Sequence, residues 1–276
     1  MKAIRAQRVA VGILWSLTFM TLAILLFIIV FILRQGLPVI NKGFLFGSPL
    51  AMGRAGGIFP IIIGTIYLTL VAIVIATPLG VGTAIYLQEY ARENWATRVI
   101  RFGADCLAGI PSIIFGLFGF VLLVIFLRLG WSILSGGLTL AFMVLPTIIR
   151  TSEEAIRAVP RSYREVSLAL GGTRWQTITR VVLPSALPGI FTGIVLSIGR
   201  SIGETAAVIF TAGSSLQLPK SIFDPVRTMS VHFYILAREG ISMKNAYGTA
   251  AILIISILVI NAVAYWLMRR FIARAS

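Results

Sequence analysis

The chain has 276 residues, 58% of them apolar and only 12% charged, with a mean hydropathy of +0.97. A soluble domain carries about twice that share of charge, so a water-soluble globular protein is excluded. The formal net charge of +15 does not imply nucleic acid, because the sequence holds no soluble basic domain and its cations flank apolar stretches.

Apolar runs of ~20 residues recur, as a ~30 Å hydrocarbon core demands. Backbone groups in lipid must pair internally, and the alternation of a membrane barrel is absent, so the class is all-α with six transmembrane helices. After Lys2, Arg5 and Arg8, the first run covers Val9 to Leu33. At 25 residues it is too long for a signal h-region and has no prompt small-x-small cleavage site, so it reads as a retained span. A Gly/Pro-rich loop from Arg34 to Gly57 follows. The second span covers about Ile58 to Leu87; Pro60 suits its start, and Pro78 implies a kink or break. Glu89 to Arg101 is polar. The third span covers about Leu107 to Leu127, and a short turn at Gly130 and Trp131 leads to a fourth ending near Ile149, with Pro146 bending its exit. A long polar loop, Arg150 to Arg180, precedes the fifth span at about Leu187 to Phe210. Ser214 to Asn245 is polar and irregular, with room for a short re-entrant or surface helix. The sixth span, about Tyr247 to Leu267, ends at Arg269 and Arg270.

Cytoplasmic loops retain Lys and Arg. With the amino terminus inside, inner segments hold 15 of the 24 and outer loops eight, with Arg200 the remaining one. Both termini and the loop Arg150 to Arg180 are therefore expected on the cytoplasmic side. Cys106, the single cysteine, excludes an internal disulfide and reads as a small packing residue. His232, the single histidine, lacks the second His or Cys of a metal site and reads as an ordinary loop residue; no cofactor and no metal are expected.

Two stretches carry chemistry. In the long polar loop, Glu165-Val166-Ser167 is followed by three residues, Gly171, nine residues, Val181, one residue and Leu183-Pro184. The Gly171-Gly172 pair reads as a helix stop, with Glu165 opening the short helix before it. Leu168, Ala169 and Leu170 complete that helix. In the fifth span, Arg200 and Glu204 lie among apolar residues. Each costs about 2.5–3.5 kcal/mol near a helix centre, and at 1.5 Å per residue Arg200 falls ~2 Å from the middle of the span. The i, i+4 spacing places both on one helix face. One reading is an internal salt bridge that lets the span insert. The other, favoured because intramembrane ionisable groups mark solute paths, is a site for a tetrahedral oxyanion, which an arginine fork suits. Gly189, Gly193, Gly199 and Gly203 form two small-xxx-small pairs that permit close helix contact.

The loop resembles the EAA loop of ABC-importer permeases, with Val and Ser for the two alanines and Val for the isoleucine. GGIFPIIIGTIYLTLVAIVIATPLGVGTAIYLQEYA from Gly56, GIPSIIFGLFG from Gly109, the stretch Arg150 to Ile190 and GRSIGETAA from Gly199 are similar to permease subunits of phosphate importers. That resemblance implies a type I ABC importer permease fold in a bacterial inner (plasma) membrane. It divides the chain into residues 1–57 (amino-terminal segment, first span, outer loop) and a permease core at 58–270. It further implies that Glu165, Leu168, Ala169, Leu170, Gly171 and Pro184 belong to a coupling segment docking on a separate ATPase, and that Arg200 and Glu204 line the solute path.

The implied partners are a second permease subunit, a dimer of ATPase subunits, an external phosphate-binding protein, membrane lipid and inorganic phosphate, with no nucleic acid. The chain is then half of a pore working by alternating access, not an enzyme, and the absence of a G-x-x-x-x-G-K-[ST] sequence leaves ATP hydrolysis to a partner. Open alternatives are a permease for another oxyanion (sulfate, molybdate) and the sister permease of the same importer. A membrane enzyme or energy-coupling scaffold would need paired carboxylates or His ligands inside the spans, and the sequence has none.

Overall fold

The computed structural model describes residues 2–92 and 94–275. The architecture is helical, apart from a two-residue antiparallel pair of strands in the loop after the first span (β1, Pro49–Leu50; β2, Ala55–Gly56). Helix α1 (Lys2–Gly36) is the first span, and a short helix α2 (Lys42–Phe46), capped by Asn41, leads to the strands. Helix α3 (Phe59–Ile85) runs unbroken through Pro78 and widens into a π-type turn at Tyr86–Tyr90. Of the kink or break expected at Pro78, the break does not occur.

The third span differs most from expectation. Helix α4 (Trp95–Gly109) and the helical segment beginning with α5 (Ser112–Gly119) and ending at Phe126 meet at an angle of 103°. Pro111 lies at the bend, where it disfavours helical geometry in Ile110 before it. Among the described residues, five other helical runs are long and apolar enough to cross a membrane, and the bent pair makes a sixth if counted as one span. Cys106 lies in α4 and is exposed, so it does not have the packing role expected of it.

Helix α6 (Ile133–Ala158) extends well past the expected end near Ile149, and continues through Pro146. Helices α7 (Arg161–Ala169) and α8 (Arg174–Thr177) occupy the polar loop. A wide turn at Ile178–Val182 joins α8 to helix α9 (Leu183–Gly203). Such turns replace the ordinary ladder, here just before Pro184, which has no N–H to donate. Helices α10 (Ala206–Thr211), α11 (Met229–Arg238) and α12 (Met243–Ala275) complete the chain.

The core sits where α3, α6, α10 and α11 meet, around Leu68, Ala72, Leu140, Val144, Val208 and Val231. Small residues set how closely these helices approach. A Cβ on Gly80 would fall 2.7 Å from Ile148, and one on Gly116 would fall 2.8 Å from the Ala207 backbone. His232 is part of this packed region, in α11 and only 1% exposed, rather than in a loop.

Candidate coupling surface and solute path

At the start of α9, α7 has no buried residue and projects apolar side chains outward. Tyr163, Val166, Leu168, Leu170 and Trp175 are all exposed, Leu170 by 83%. With Gln176 and Arg180, three of them (Tyr163, Val166 and Leu170) border a groove of about 690 Å³. Isolated exposed apolar residues are ordinary, but a contiguous set marks an interaction face.

The geometry of this face is fixed locally. Gly171 has φ of +82°, and its N–H donates to Leu168 O at 3.0 Å. The Gly172 N–H donates to Ser167 O, also at 3.0 Å. The pair forms a Schellman C-cap, as the glycines suggested. A Cβ on Gly171 would meet nothing within 4 Å, so backbone conformation alone requires glycine there. Thr173 and Gln176 then cap α8 reciprocally, and the Ser167 and Thr177 hydroxyls meet at 2.8 Å.

Glu165 is placed differently from expectation. Pro160 precedes the helix and sets its start at Arg161, so Glu165 lies in the second turn, exposed, and does not cap the helix. Leu168 and Ala169 are exposed near its end, and Pro184 is exposed in the first turn of α9. Sequence reasoning passed over Arg164. Its guanidinium donates to Glu89 Oε1 from Nη2 (2.7 Å) and Nε (3.0 Å), to Val159 O (2.8 Å) and to Ile156 O (2.9 Å).

At the other end of α9, about 30 Å away at 1.5 Å per residue, the helix stops at Gly203. Glu204 is extended (ψ of 129°), and α10 begins two residues later. The fifth span is therefore broken, not the continuous helix expected over Leu187 to Phe210. Arg200 lies in the last turn of α9 instead of at its middle. It is exposed, and among the described residues no ion pair joins it to Glu204. The Glu204 carboxylate instead accepts the Ala207 N–H at 3.2 Å, while Glu204 O accepts the Ser230 hydroxyl at 2.6 Å. The break is thus held by α11, whose Met229 N–H donates to Thr65 Oγ1 on α3 at 2.9 Å.

The four glycines divide by role. A Cβ on Gly189 would fall 2.5 Å from Ala155, and one on Gly193 would collide with Thr151, so both serve packing against α6 within the chain. Gly199 and Gly203 have nothing within 4 Å of such a Cβ. They share an open face near Arg200 and the exposed Leu196. Outside the spans, Arg227 is buried and donates from Nε to Ser214 O at 3.0 Å. His232 Nδ1 lies 3.5 Å from Arg227 Nη1. Burial and then the Arg227 charge lower the His232 pKa to about 3, so the ring is neutral and accepts.

A bundle of membrane-length helices with a helical pair exposed at one end and a broken helix at the other is the architecture of a polytopic transport permease. Residues 76–276 match the family model for the binding-protein-dependent transport system inner membrane component, and the chain belongs to that family. It is 36% identical over 261 residues to "Probable ABC transporter permease protein YqgI" of Bacillus subtilis (strain 168), covering 89% of each chain. It is 39% identical over 222 residues to "Phosphate transport system permease protein PstA 1" of Mycobacterium tuberculosis (strain CDC 1551 / Oshkosh), covering 79% of this chain and 72% of that one.

Among solved structures, a bacterial alginate ABC transporter chain superposes with a TM-score of 0.64 at 17% identity, over 93% of this chain and 94% of that one. A chain of the MetNI methionine ABC transporter in an inward-facing form gives 0.63 at 18% identity, over 75% and 93%. At those identities the likeness concerns the fold, which is that of ABC importer permeases.

Proposed function

We propose that the chain is the permease subunit of an ATP-driven inorganic phosphate importer and forms half of its translocation pore. The observation that carries the solute is the similarity to relatives named PstA, among them one of Xylella fastidiosa (strain Temecula1 / ATCC 700964) at 37% identity over 198 residues. The open face of α9, with Arg200 exposed and Gly199 and Gly203 unencumbered, supports a pore wall completed by a second, PstC-like permease subunit. Arg200 supplies charge and a donor fork to an oxyanion. Glu204, beside it at the helix break, disfavours anions that bring no proton to share.

The exposed surface of α7 and α8 supports docking on an ATPase dimer of the PstB kind: Leu168 and Leu170 enter a cleft, Glu165 and Ala169 flank them, and Gly171 and Pro184 shape the connection. An external PstS-like phosphate-binding protein delivers the solute from the opposite side. Both termini then lie in the cytoplasm, residues 1–57 form a peripheral span and loop, and residues 58–270 form the permease core. ATP-driven closure of the ATPase pair moves α7 and switches the pore, provided that contacts differ between the two states. The reading is tested by reconstituting the chain with its three partner types and measuring uptake of labelled phosphate against sulfate and molybdate. Transport of sulfate or molybdate in preference to phosphate would overturn the solute assignment.

A further inference from the structure

The polar contacts at the end of α3 converge on two neighbouring residues. Gln88 Nε2 donates to Glu153 Oε1 on α6 at 3.2 Å, and Arg101 Nε on α4 donates to the same oxygen at 3.4 Å. Glu89 takes two donors from Arg164 on α7. Arg164 also closes the end of α6, through Ile156 O and Val159 O. Consecutive side chains on a regular helix point about 100° apart. The wide turn at Tyr86–Tyr90 is where the chain sends Gln88 to α6 and Glu89 to α7.

We infer that the Arg164–Glu89 pair is the positioning contact that carries displacement of α7 into α3. Among the described residues, no side chain of α7 is buried, and the side-chain hydrogen bonds that tie it to other segments come from Arg164 and from the Ser167–Thr177 hydroxyl pair. A helix that buries none of its own side chains has less apolar contact to transmit its movement than a core helix has. A guanidinium that holds one carboxylate oxygen with two N–H groups and two carbonyls besides is stiff by comparison, because four hydrogen bonds on a planar group leave few alternative poses. The pair is also largely withdrawn from solvent, with side-chain exposures of 22% for Arg164 and 12% for Glu89, so screening by water and salt is limited. Helix α3 packs on α6 at Gly80 and Ile148 and reaches α11 through Thr65, the same α11 that holds the break at Glu204. One continuous set of contacts therefore joins the α7 surface to the α9–α10 break.

This inference rests on the ATP-coupled permease reading, not on the identity of the solute. The test uses the full reconstituted complex and compares wild type, Glu89→Gln, Arg164→Gln and the double variant. The readouts are phosphate uptake, ATP hydrolysis, and stimulation of hydrolysis by the loaded binding protein, the last being indifferent to which solute is carried. Glu89→Gln is expected to lower the ratio of uptake to hydrolysis at least about fivefold, the lower end of ordinary site-to-site coupling. The double variant is expected to lose no more than Arg164→Gln alone, because the pair acts as one unit. An unchanged ratio and unchanged stimulation in Glu89→Gln would overturn the inference. So would uptake and the yield of assembled complex falling together at constant ratio, which would make the pair a structural tie. A wild-type complex that hydrolyses ATP and answers to its binding protein but takes up no phosphate would overturn the solute assignment, and stimulation would still decide the role of the pair.

Discussion

Arg200 and Glu204 stand on either side of a helix end. Arg200 is exposed in the last turn of α9, while the Glu204 carboxylate accepts the Ala207 N–H of the next helix at 3.2 Å. The two charges are not consumed by one another. Replacing Arg200 with Gln is therefore expected to abolish phosphate uptake while leaving insertion and assembly intact, and Arg200→Lys to keep only weak transport because the fork is lost. Uptake in a strain lacking other phosphate importers, with blotting for subunit level, checks this; wild-type uptake by Arg200→Gln would remove Arg200 from the solute path.

Glu204→Gln keeps an acceptor for Ala207 but drops the charge, whereas Glu204→Ala drops both. Loss of an N-terminal cap costs roughly 1 kcal/mol, so the alanine variant is expected to unfold a few degrees earlier than the glutamine variant. Glu204→Gln is expected to admit more sulfate relative to phosphate. Competition of sulfate against labelled phosphate reads the selectivity, and equal competition in both proteins would assign Glu204 to capping alone.

Gly171→Val is expected to uncouple transport without preventing insertion. The φ of +82° costs a side chain roughly 1–2 kcal/mol, more for a β-branched one, although no atom lies within 4 Å to clash. Gly193→Ala is the contrasting case, since its Cβ meets Thr151 and overpacking costs about 1–3 kcal/mol. It is expected to lower thermal stability in detergent, and Gly199→Ala is not. Retained coupling in Gly171→Val, measured as uptake per ATP, would sink the first expectation.

For orientation, a cysteine at Arg174 is expected to react with a membrane-impermeant thiol reagent in inverted vesicles only, and one at Lys220 in right-side-out vesicles only. Because Cys106 is exposed, both belong in a Cys106→Ser background. The reverse labelling pattern would invert the assigned topology.

His232 gives a pH dependence of stability. Its pKa falls from 6.5 to about 3 in the folded protein. The unfolded chain therefore takes up the proton first as pH falls, and the stability present above about 6.5 is lost progressively towards about 3. Between pH 7 and pH 5 the loss amounts to about 2 kcal/mol. Thermal unfolding in detergent at the two pH values, with His232→Gln as the comparison, is expected to show a smaller difference in the variant; an equal difference would assign the effect to other groups.

The sequence by itself determined the class, because apolar runs of membrane length admit only backbone-satisfied helices, and it determined the glycine that ends α7, because a left-handed C-cap has a local signature at Gly171 and Gly172. It also located five helical runs of membrane length, though not their ends and not the 103° bend in the third expected span: periodic apolarity continues across the helix break at Glu204 as readily as through the unbroken helix at Pro78. Tertiary structure decided what required distant partners. Ser230, 26 residues away, holds the break at Glu204 from α11, a contact that no helical spacing predicts. Glu89 meets Arg164 across 75 residues, so neither reads as anything but a solvated charge until α3 and α7 are brought together. His232 is buried only because the segment from Met229 to Arg238 folds into the bundle, where desolvation first and the Arg227 charge second keep the ring neutral. Local chemistry is written in neighbours along the chain; burial and long-range pairing depend on helix packing, and a polar side chain is silent about which of these awaits it.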